Sequence, residues 1–449
     1  MNRRNEYEAM IEELNQPAPG LEATLDRACK KKRKRTVQMI VRPAAGFAAC
    51  FAVFVLLVNF CVPVAYACSQ IPVLRELAEA VTFSRSLTEA VENEYVQPME
   101  LSRSENDITA QIAYLIVDQK QVNVFYRLDS DKYEQLAADT SVLLADDSDP
   151  SCGWSSTGYD AENGELRCLS IDFVEADVPD SLVIQLEVYS NDAVFCDPVF
   201  DDDTLDANYL ANFEFLLEFD PKFTAAGKVF PVHQTVMLEG QAITITDIEV
   251  YPTHIRVEID ESEDNTAWLK DLDFYIETDW GMKFEPVSSG LTATGSPDSP
   301  SMVSYRADST YFYQANHLKL VITGARWLRK DMQTTYVNLV TGETGELPEG
   351  AAFESAEREG NGWVVSFHGE FREEETMHQH FGQAFYDRDG NEYAITTWSH
   401  RYVEWDEERK PIRFLDQFPL NNYPYDEVWL SPQYSHYWTA EDVIVITVQ

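Results

Sequence analysis

The pattern of apolar and polar positions changes character several times along the chain. Near the N-terminus Tyr7, Met10, Ile11 and Leu14 recur at i, i+3, i+4 and i+7, which predicts one apolar face of a short helix. Gln16-Pro17-Ala18-Pro19-Gly20 stops it, and Leu21, Leu25 and Ala28 predict another turn or two. Ala44 to Val62 then reads AAGFAACFAVFVLLVNFCV, apolar except at Gly46 and Asn59. At ~1.5 Å per residue this run extends roughly 28 Å, close to the ~30 Å hydrocarbon core of a bilayer. Lipid offers backbone groups no partners, so the run predicts a membrane helix, drawn here over 44–67 to include Pro63 and Tyr66 at its far end.

Beyond the span, Ile71, Leu74, Leu77, Ala78 and Val81 share a helical face. Ser86-Leu87-Thr88-Glu89 reads as a capping box opening a second short helix through Val91. From Ile108 the period becomes that of strands. Ile108–Val117 and Gln121–Arg127 flank the turn-like Asp118-Gln119-Lys120, and Leu166–Val174 and Leu182–Tyr189 follow, predicting a half-buried sheet. Asp197–Asp206 reads as an acidic loop and a domain boundary, with Phe213–Phe219 opening a second β unit. Its clearest strands are Ala242–Val250, Ile255–Ile259, Leu272–Glu277 and Leu318–Gly324. A third unit starts near Tyr336, with strands at Trp363–Phe371, Gln383–Tyr386, Tyr393–Trp398 and Val443–Val448. Phe274-Tyr275-x-x-x-Asp279-x-Gly281 and Phe385-Tyr386-x-x-Asp389-Gly390 echo each other as strand, tight turn, strand, which suggests repeated modules. The expected fold is therefore mainly β: one N-terminal transmembrane helix, short membrane-proximal helices, then two to three β-sandwich modules.

Charge turns this pattern into a topology. The chain of 449 residues carries a net charge of −43, but residues 1–42 sum to +4, residues 43–67 carry none, and residues 68–449 sum to −47. Lys30 to Arg35 is an unbroken basic run with Arg42 after it, while the first cation past the span is Arg75. The positive-inside rule then puts the N-terminus in the cytoplasm and the C-terminal bulk outside the cell membrane. Ala65-Tyr66-Ala67 also resembles a signal-peptidase site, so secretion after cleavage, or a lipoprotein at Cys68, is the competing reading. So acidic a chain repels phosphates and is a poor nucleic-acid binder. The expected segments are 1–42 cytoplasmic, 43–67 transmembrane, 68–205 helices with the first β domain, 206–332 the second, and 333–449 the third.

Chemistry-bearing motifs are scarce. No GxSxG, HExxH, Walker or dinucleotide-binding pattern occurs, and no cysteine–histidine zinc spacing, so no catalytic residue, cofactor or metal is expected. Asp387-Arg388-Asp389-Gly390-Asn391 begins like a calcium loop but lacks its later positions and reads as a hairpin turn. His378 and His380, with His368 nearby, read as solvated histidines, and Asp201-Asp202-Asp203 with Asp206 as a solvated acidic loop. Of the cysteines expected outside, a Cys152–Cys168 hairpin bridge and three unpaired thiols including Cys196 both fit. Tyr393 to Trp438 holds 12 aromatic residues, and Trp398, Trp405, Trp429 and Trp438 fit either a glycan-stacking platform or the filling of a β sandwich.

The segments AYACSQIPVLRELAEAV, LTEAVENEYVQP and ITAQIAYLIVDQKQVNVFY resemble a Gram-positive family of single-pass membrane proteins. That family, the 4179 family, is defined by a domain of unknown function and is often described as anti-sigma-factor-like. FDPKFTAAGKVFPV and EVYPTHIRVEI resemble the immunoglobulin-like domain, also of unknown function, into which its members commonly continue. The resemblance implies no catalytic residues, and the HxxxCxxC zinc motif of the best-known anti-sigma class is absent. It points to a membrane-anchored, non-enzymatic regulator or sensor. Its cytoplasmic stripe of Tyr7, Met10, Ile11, Leu14, Leu21 and Leu25 would hold a partner such as a sigma factor, and its ectodomain an unidentified ligand. A surface adhesin or glycan-binding protein is the alternative, and an envelope hydrolase a third and disfavoured one.

Overall fold

The computed structural model describes residues 71–449, apart from 134, 147, 159–160, 175, 191–208, 225, 288–290, 296–299, 314, 316, 371–378, 407–409 and 449, with side chains from 76 onward. The chain divides into two compact units, 1–75 and 76–449. All the described β structure lies in the second. The predicted span 44–67 and the stripe from Tyr7 to Leu25 lie outside the described residues. Among those described, no helix is long and apolar enough to cross a membrane.

Two short helices come first, α1 (Ile71–Ala80) and α2 (Arg85–Glu92). The cap of α2 is not where the capping box predicts it. Ser84 is the N-cap, its Oγ accepting from the N–H of Leu87 at 3.3 Å. Ser86, buried, faces away toward another module. Leu87, Ala90 and Val91 form the buried face at i, i+3, i+4 spacing.

The first sandwich comprises β1 (Gln97–Glu105), β2 (Ile108–Val117), β3 (Gln121–Asp129), β4 (Leu136–Leu143), β5 (Cys152–Thr157), β6 (Arg167–Phe173), β7 (Ser181–Ser190) and β8 (Ala211–Glu218). One sheet runs β1-β2-β3-β6-β5 and the other β4-β7-β8, and they enclose a common core. The sheet predicted to be half-buried is buried on both faces at its centre. Ala113, Tyr114, Ile116, Phe125 and Cys168, on the side away from that core, pack under Leu77, Val81, Leu87 and Ala90 of the helical region. Two-sided burial is why ITAQIAYLIV reads as a nearly continuous apolar run. The boundary expected at 205 falls inside this sandwich: β8 pairs with β7 from Ser181↔Glu218 to Val188↔Ala211, because Phe213, Phe215 and Leu217 fill the same core.

The second sandwich comprises β9 (Lys228–Leu238), β10 (Gln241–Val250), β11 (Ile255–Glu261), β12 (Ala267–Thr278), β13 (Lys283–Phe284), β14 (Ala293–Gly295), β15 (Met302–Ala307) and β16 (Leu318–Arg329). The third comprises β17 (Thr335–Asn338), β18 (Ala352–Glu359), β19 (Gly362–Glu370), β20 (Phe381–Tyr386), β21 (Glu392–Ala394), β22 (Ser399–Trp405), β23 (Pro411–Leu420) and β24 (Glu427–Pro432). The strand β25 (His436–Val448), expected in the third unit, pairs instead with β16, from Leu318↔Val448 to Trp327↔His436. Ile446 and Val448 bury themselves in the second core beside Leu320 and Trp327. The third sandwich is thus inserted between two adjacent strands of the second. The chain leaves and returns at one place, where Ser435 N donates to Trp327 O at 2.7 Å and Arg329 N to Ser435 Oγ at 3.0 Å. The two echoing segments are the β12–β13 and β20–β21 hairpins, each turning on a glycine at φ +81°, Gly281 and Gly390.

Candidate functional site

The densest polar chemistry in the described residues lies where the first two sandwiches meet beneath α2. The β2–β3 turn supplies Asp118, and the end of β6 supplies Asp172. From the second sandwich come Thr253 and His254 before β11, Arg256 within it, and Ser304 and Arg306 on β15. Asp172 is 1% exposed and accepts from two guanidinium groups, Arg256 Nη2 at 2.6 Å on Oδ1 and Arg306 Nη2 at 2.5 Å on Oδ2. Arg256 Nη2 also reaches Phe173 O at 2.8 Å, and Arg306 reaches Ser304 Oγ at 2.5 Å and Thr294 Oγ1 at 2.8 Å. Asp118 Oδ1 accepts the N–H groups of Lys120 and Gln121 at 2.9 and 2.8 Å, and Oδ2 accepts Thr253 Oγ1 at 2.6 Å.

These bonds fix the state of His254. The Thr253 hydroxyl spends its proton on Asp118, so it accepts from His254 Nδ1 at 2.8 Å. Arg256 Nε donates to His254 Nε2 at 3.0 Å. The imidazole is therefore neutral with its proton on Nδ1. Burial first, then the charges of Arg256 and Arg306, hold its pKa well below the usual histidine value. Burial also raises the Asp118 carboxyl, against the pull of the hydrogen bonds it accepts. Beside these groups is a small cavity of about 30 Å³, room for roughly one water, lined by Leu87, Asn123, Ser170, His254 and Arg306 among others.

The second helix closes the junction from above. Ser86 N and Oγ both donate to Asp308 Oδ1, at 3.2 and 3.0 Å, and Ser309 N returns a bond to Ser86 Oγ at 2.7 Å. Arg85 donates to Tyr313 OH at 3.1 Å and lies 4.3 Å over the ring of Phe284. Tyr313 OH in turn bonds the Glu89 carboxylate. On the first sandwich, Arg127 pairs with Glu76 at 3.0 Å. The helices are thus fixed to both sandwiches.

Residues 32–130 match a domain of unknown function (DUF4179). Residues 227–348 match a family of unknown function (DUF5643). The junction joins the two matched segments, with α2 and Asp118 in the first, His254, Arg256, Arg306 and Asp308 in the second, and Asp172 between them. No curated protein matches the chain. Among solved structures, a conserved domain protein from Bacillus anthracis is similar over 56% of this chain and 84% of that one, at 14% identity and a TM-score of 0.39. A marsupial T cell receptor is similar over 76% and 99%, at 8% identity and a TM-score of 0.14. Neither likeness is close enough to carry a fold or a function across.

The residues singled out by sequence are scattered. Asp387 is occupied by its own turn, accepting Asp389 N and Asn391 N at 2.9 Å each. Among the described residues no group of His, Cys, Asp and Glu is placed to hold a metal. His380 is buried rather than solvated, stacked on Phe414 and bonded through Nδ1 to Tyr434 OH at 2.8 Å, whereas His368 pairs with Glu354 at 2.8 Å. His378, the Asp201–Asp206 loop and Cys196 lie outside the described residues. Cys152 and Cys168 are free thiols. Cys152 pairs with Phe173 and Cys168 with Thr157, which sets them five positions apart along one ladder. That is roughly 17 Å, too far for a bridge. The four tryptophans form no platform: Trp398 packs on the third core, Trp405 is exposed on β22, Trp429 meets Tyr336 with the rings tilted, and Trp438 packs on the second core. The junction itself escaped the sequence, since its members come from four separated segments without a motif. The one available signal was the placing of His254 and Arg256 at the start of an otherwise apolar strand.

Proposed function

We propose that the chain is a membrane-anchored, non-enzymatic regulator or sensor. Its N-terminal segment lies in the cytoplasm and holds a protein partner, in the manner of an anti-sigma factor. Its acidic, immunoglobulin-like sandwiches lie outside. The observation that supports this reading is the fixing of α2 to both sandwiches through Ser86–Asp308 and Arg85–Tyr313. These are the first helices after the apolar run in the chain, so an event that shifts either sandwich bears on the segment leading to the membrane. No reaction is asked of the junction: its carboxylates and guanidiniums neutralise one another. The reading is tested in cells with the full chain carrying a photo-crosslinkable residue at Ile11 or Leu14. A crosslinked cytoplasmic protein whose yield changes in Asp308→Asn supports it. A C-terminus sheltered from protease in intact cells, or the absence of any adduct, overturns it.

A further inference from the structure

The first and second sandwiches keep separate cores, and among the described residues no ladder joins a strand of one to a strand of the other. Side-chain contacts join them: the polar junction, Gln119 Oε1 accepting from Gly227 N at 3.1 Å, Tyr95 against Phe312, and α2. Modules joined in this way can part without either core unfolding. Arg256 is the clasp. From the second sandwich it reaches three acceptors of the first, Asp172 Oδ1 at 2.6 Å, Phe173 O at 2.8 Å and Val174 O at 3.2 Å. At home its Nε is held by His254 Nε2 at 3.0 Å. A guanidinium is a rigid fork, so the atom that holds Nε also aims both Nη atoms.

His254 carries its proton on Nδ1, so a second proton can go only to Nε2, the atom that Arg256 Nε–H already occupies. Two N–H groups cannot face each other there, and the bond breaks. The new Nε2–H is drawn to Asp172 Oδ1, 3.8 Å away, the oxygen that Arg256 holds. The remaining surroundings give the imidazolium little relief. Asp118 Oδ2, 3.8 Å from Nδ1, already accepts from Thr253, and Arg306 is a further cation. Asp118, Asp172, Arg256 and Arg306 balance only while the ring is neutral. Tyr251 stacks on the ring at 5.2 Å, with Glu249 beyond it on Tyr251 OH at 2.8 Å, and Glu258 stands behind Ser304 at 2.7 Å. Helix α2 presents only Ser84 and Leu87 to the small cavity beside the ring, neither of them charged. We propose that His254 is a proton-operated latch: a proton taken at Nε2 unseats Arg256 and parts the first two sandwiches, so that α2, fixed to both, must release one. As the cue for a sensor, acid rests on the sensor reading. Exchange at the junction needs no cytoplasmic partner, so a latch that fails leaves that reading standing.

In the open junction His254 titrates near its ordinary 6.5, whereas burial in the closed one holds its pKa far lower. The open population should therefore rise about tenfold between about pH 7.5 and about pH 5.5. The test is hydrogen exchange of the full chain in detergent micelles at those two pH values, read by mass spectrometry and corrected for the intrinsic pH dependence of exchange. The amides of Thr253 and Ser309 bond across the junction, to Asp118 Oδ2 at 3.0 Å and Ser86 Oγ at 2.7 Å. Their protection should fall about tenfold in acid, while Ile184 and Ile322 in the two cores keep theirs. His254→Gln still offers Arg256 an acceptor but takes no proton, and should hold the change within about twofold; His436→Gln, remote from the junction, should respond like the parent. If His254→Gln does not fold, Arg256→Gln decides: with the clasp gone, Thr253 and Ser309 should be poorly protected at both pH values. Unchanged protection of those two amides in acid, an equal loss at Ile184 and Ile322, a full response in His254→Gln, or a full response in Arg256→Gln overturns the latch.

Discussion

Asp172→Asn is the sharpest perturbation of the junction. The carboxylate is 1% exposed and the Arg256 and Arg306 side chains it serves are 2% and 1% exposed. Asparagine keeps one acceptor oxygen, so one guanidinium loses its partner and both lose their counter-charge. Neutral His254 cannot replace it. Removing one partner of a buried ion pair costs about 3–5 kcal/mol. The carbonyl of Phe173 and the hydroxyls of Ser304 and Thr294 still hold the guanidiniums, which places this case near the lower end, about 3 kcal/mol. For a large cooperative unit that corresponds to a Tm lowered by roughly 6–12 °C. The assay is denaturant and thermal unfolding of the full chain, with Glu346→Gln as the control, since Glu346 pairs with Arg329 on the surface at 2.7 Å. The control should lose no more than about 1 kcal/mol. A double-mutant cycle with Arg306→Gln should return a coupling of about 1–3 kcal/mol. An Asp172→Asn loss no larger than the control, or additive single substitutions, would refute the account.

Three further outcomes are expected. Because the folded His254 stays neutral while the unfolded chain takes up a proton near the usual 6.5, the unfolded state binds more protons below that pH, and stability falls as the medium is acidified. Asp118, raised by burial, acts in the opposite sense in acid, between its ordinary 3.8 and its raised value. The urea midpoint should drop between about pH 7.5 and about pH 5.5, and by less in His254→Gln; an unchanged slope in that variant would remove His254 as the source. Burial pushes the thiol of Cys168 up to about 12 and that of Cys152 to about 11, so iodoacetamide at mild alkaline pH should leave Cys168 unmodified in the folded chain, as read by peptide mass mapping. Replacing residues 331–433 by a short turn should leave the second sandwich folded, because Arg329 and Ser435 are already in hydrogen-bonding contact; loss of its cooperative unfolding transition would contradict the insertion.

Strands that alternate or run apolar were legible in the sequence. Ile108–Val117 matches its predicted bounds, and Gln241–Val250 and Ser181–Ser190 match to within a residue at each end. Strands whose side chains are mostly exposed were not legible. β22, SHRYVEW, is exposed from His400 to Trp405 and carries no burial period, and β9 is mostly exposed, its inward Phe230, Val232, Val236 and Leu238 interrupted at Gln234 and by Pro231. Tyr393–Trp398 shrank to Glu392–Ala394 because the alternation stops after Tyr393 and Ile395, Trp398 reaching the core out of step with them. Membership of modules was the weakest inference, since sequence proximity put β8 and β25 with the wrong neighbours. The polar junction was invisible for a related reason: Arg306 and Asp172 meet across 134 positions, and nothing local announces that a buried arginine has a carboxylate waiting elsewhere.

The insertion of one module into another sets an order of assembly. During synthesis β16 emerges roughly a hundred residues ahead of β25. At about 5–20 residues per second, Leu318, Leu320 and Ile322 wait on the order of 5–20 s with one edge open. The inserted module has all its strands by then and is free to close first. A premature stop just before His436 would spare that later-encoded module and injure the earlier one, stripping Ile446 and Val448 from a core built mostly from residues some hundred to two hundred positions upstream.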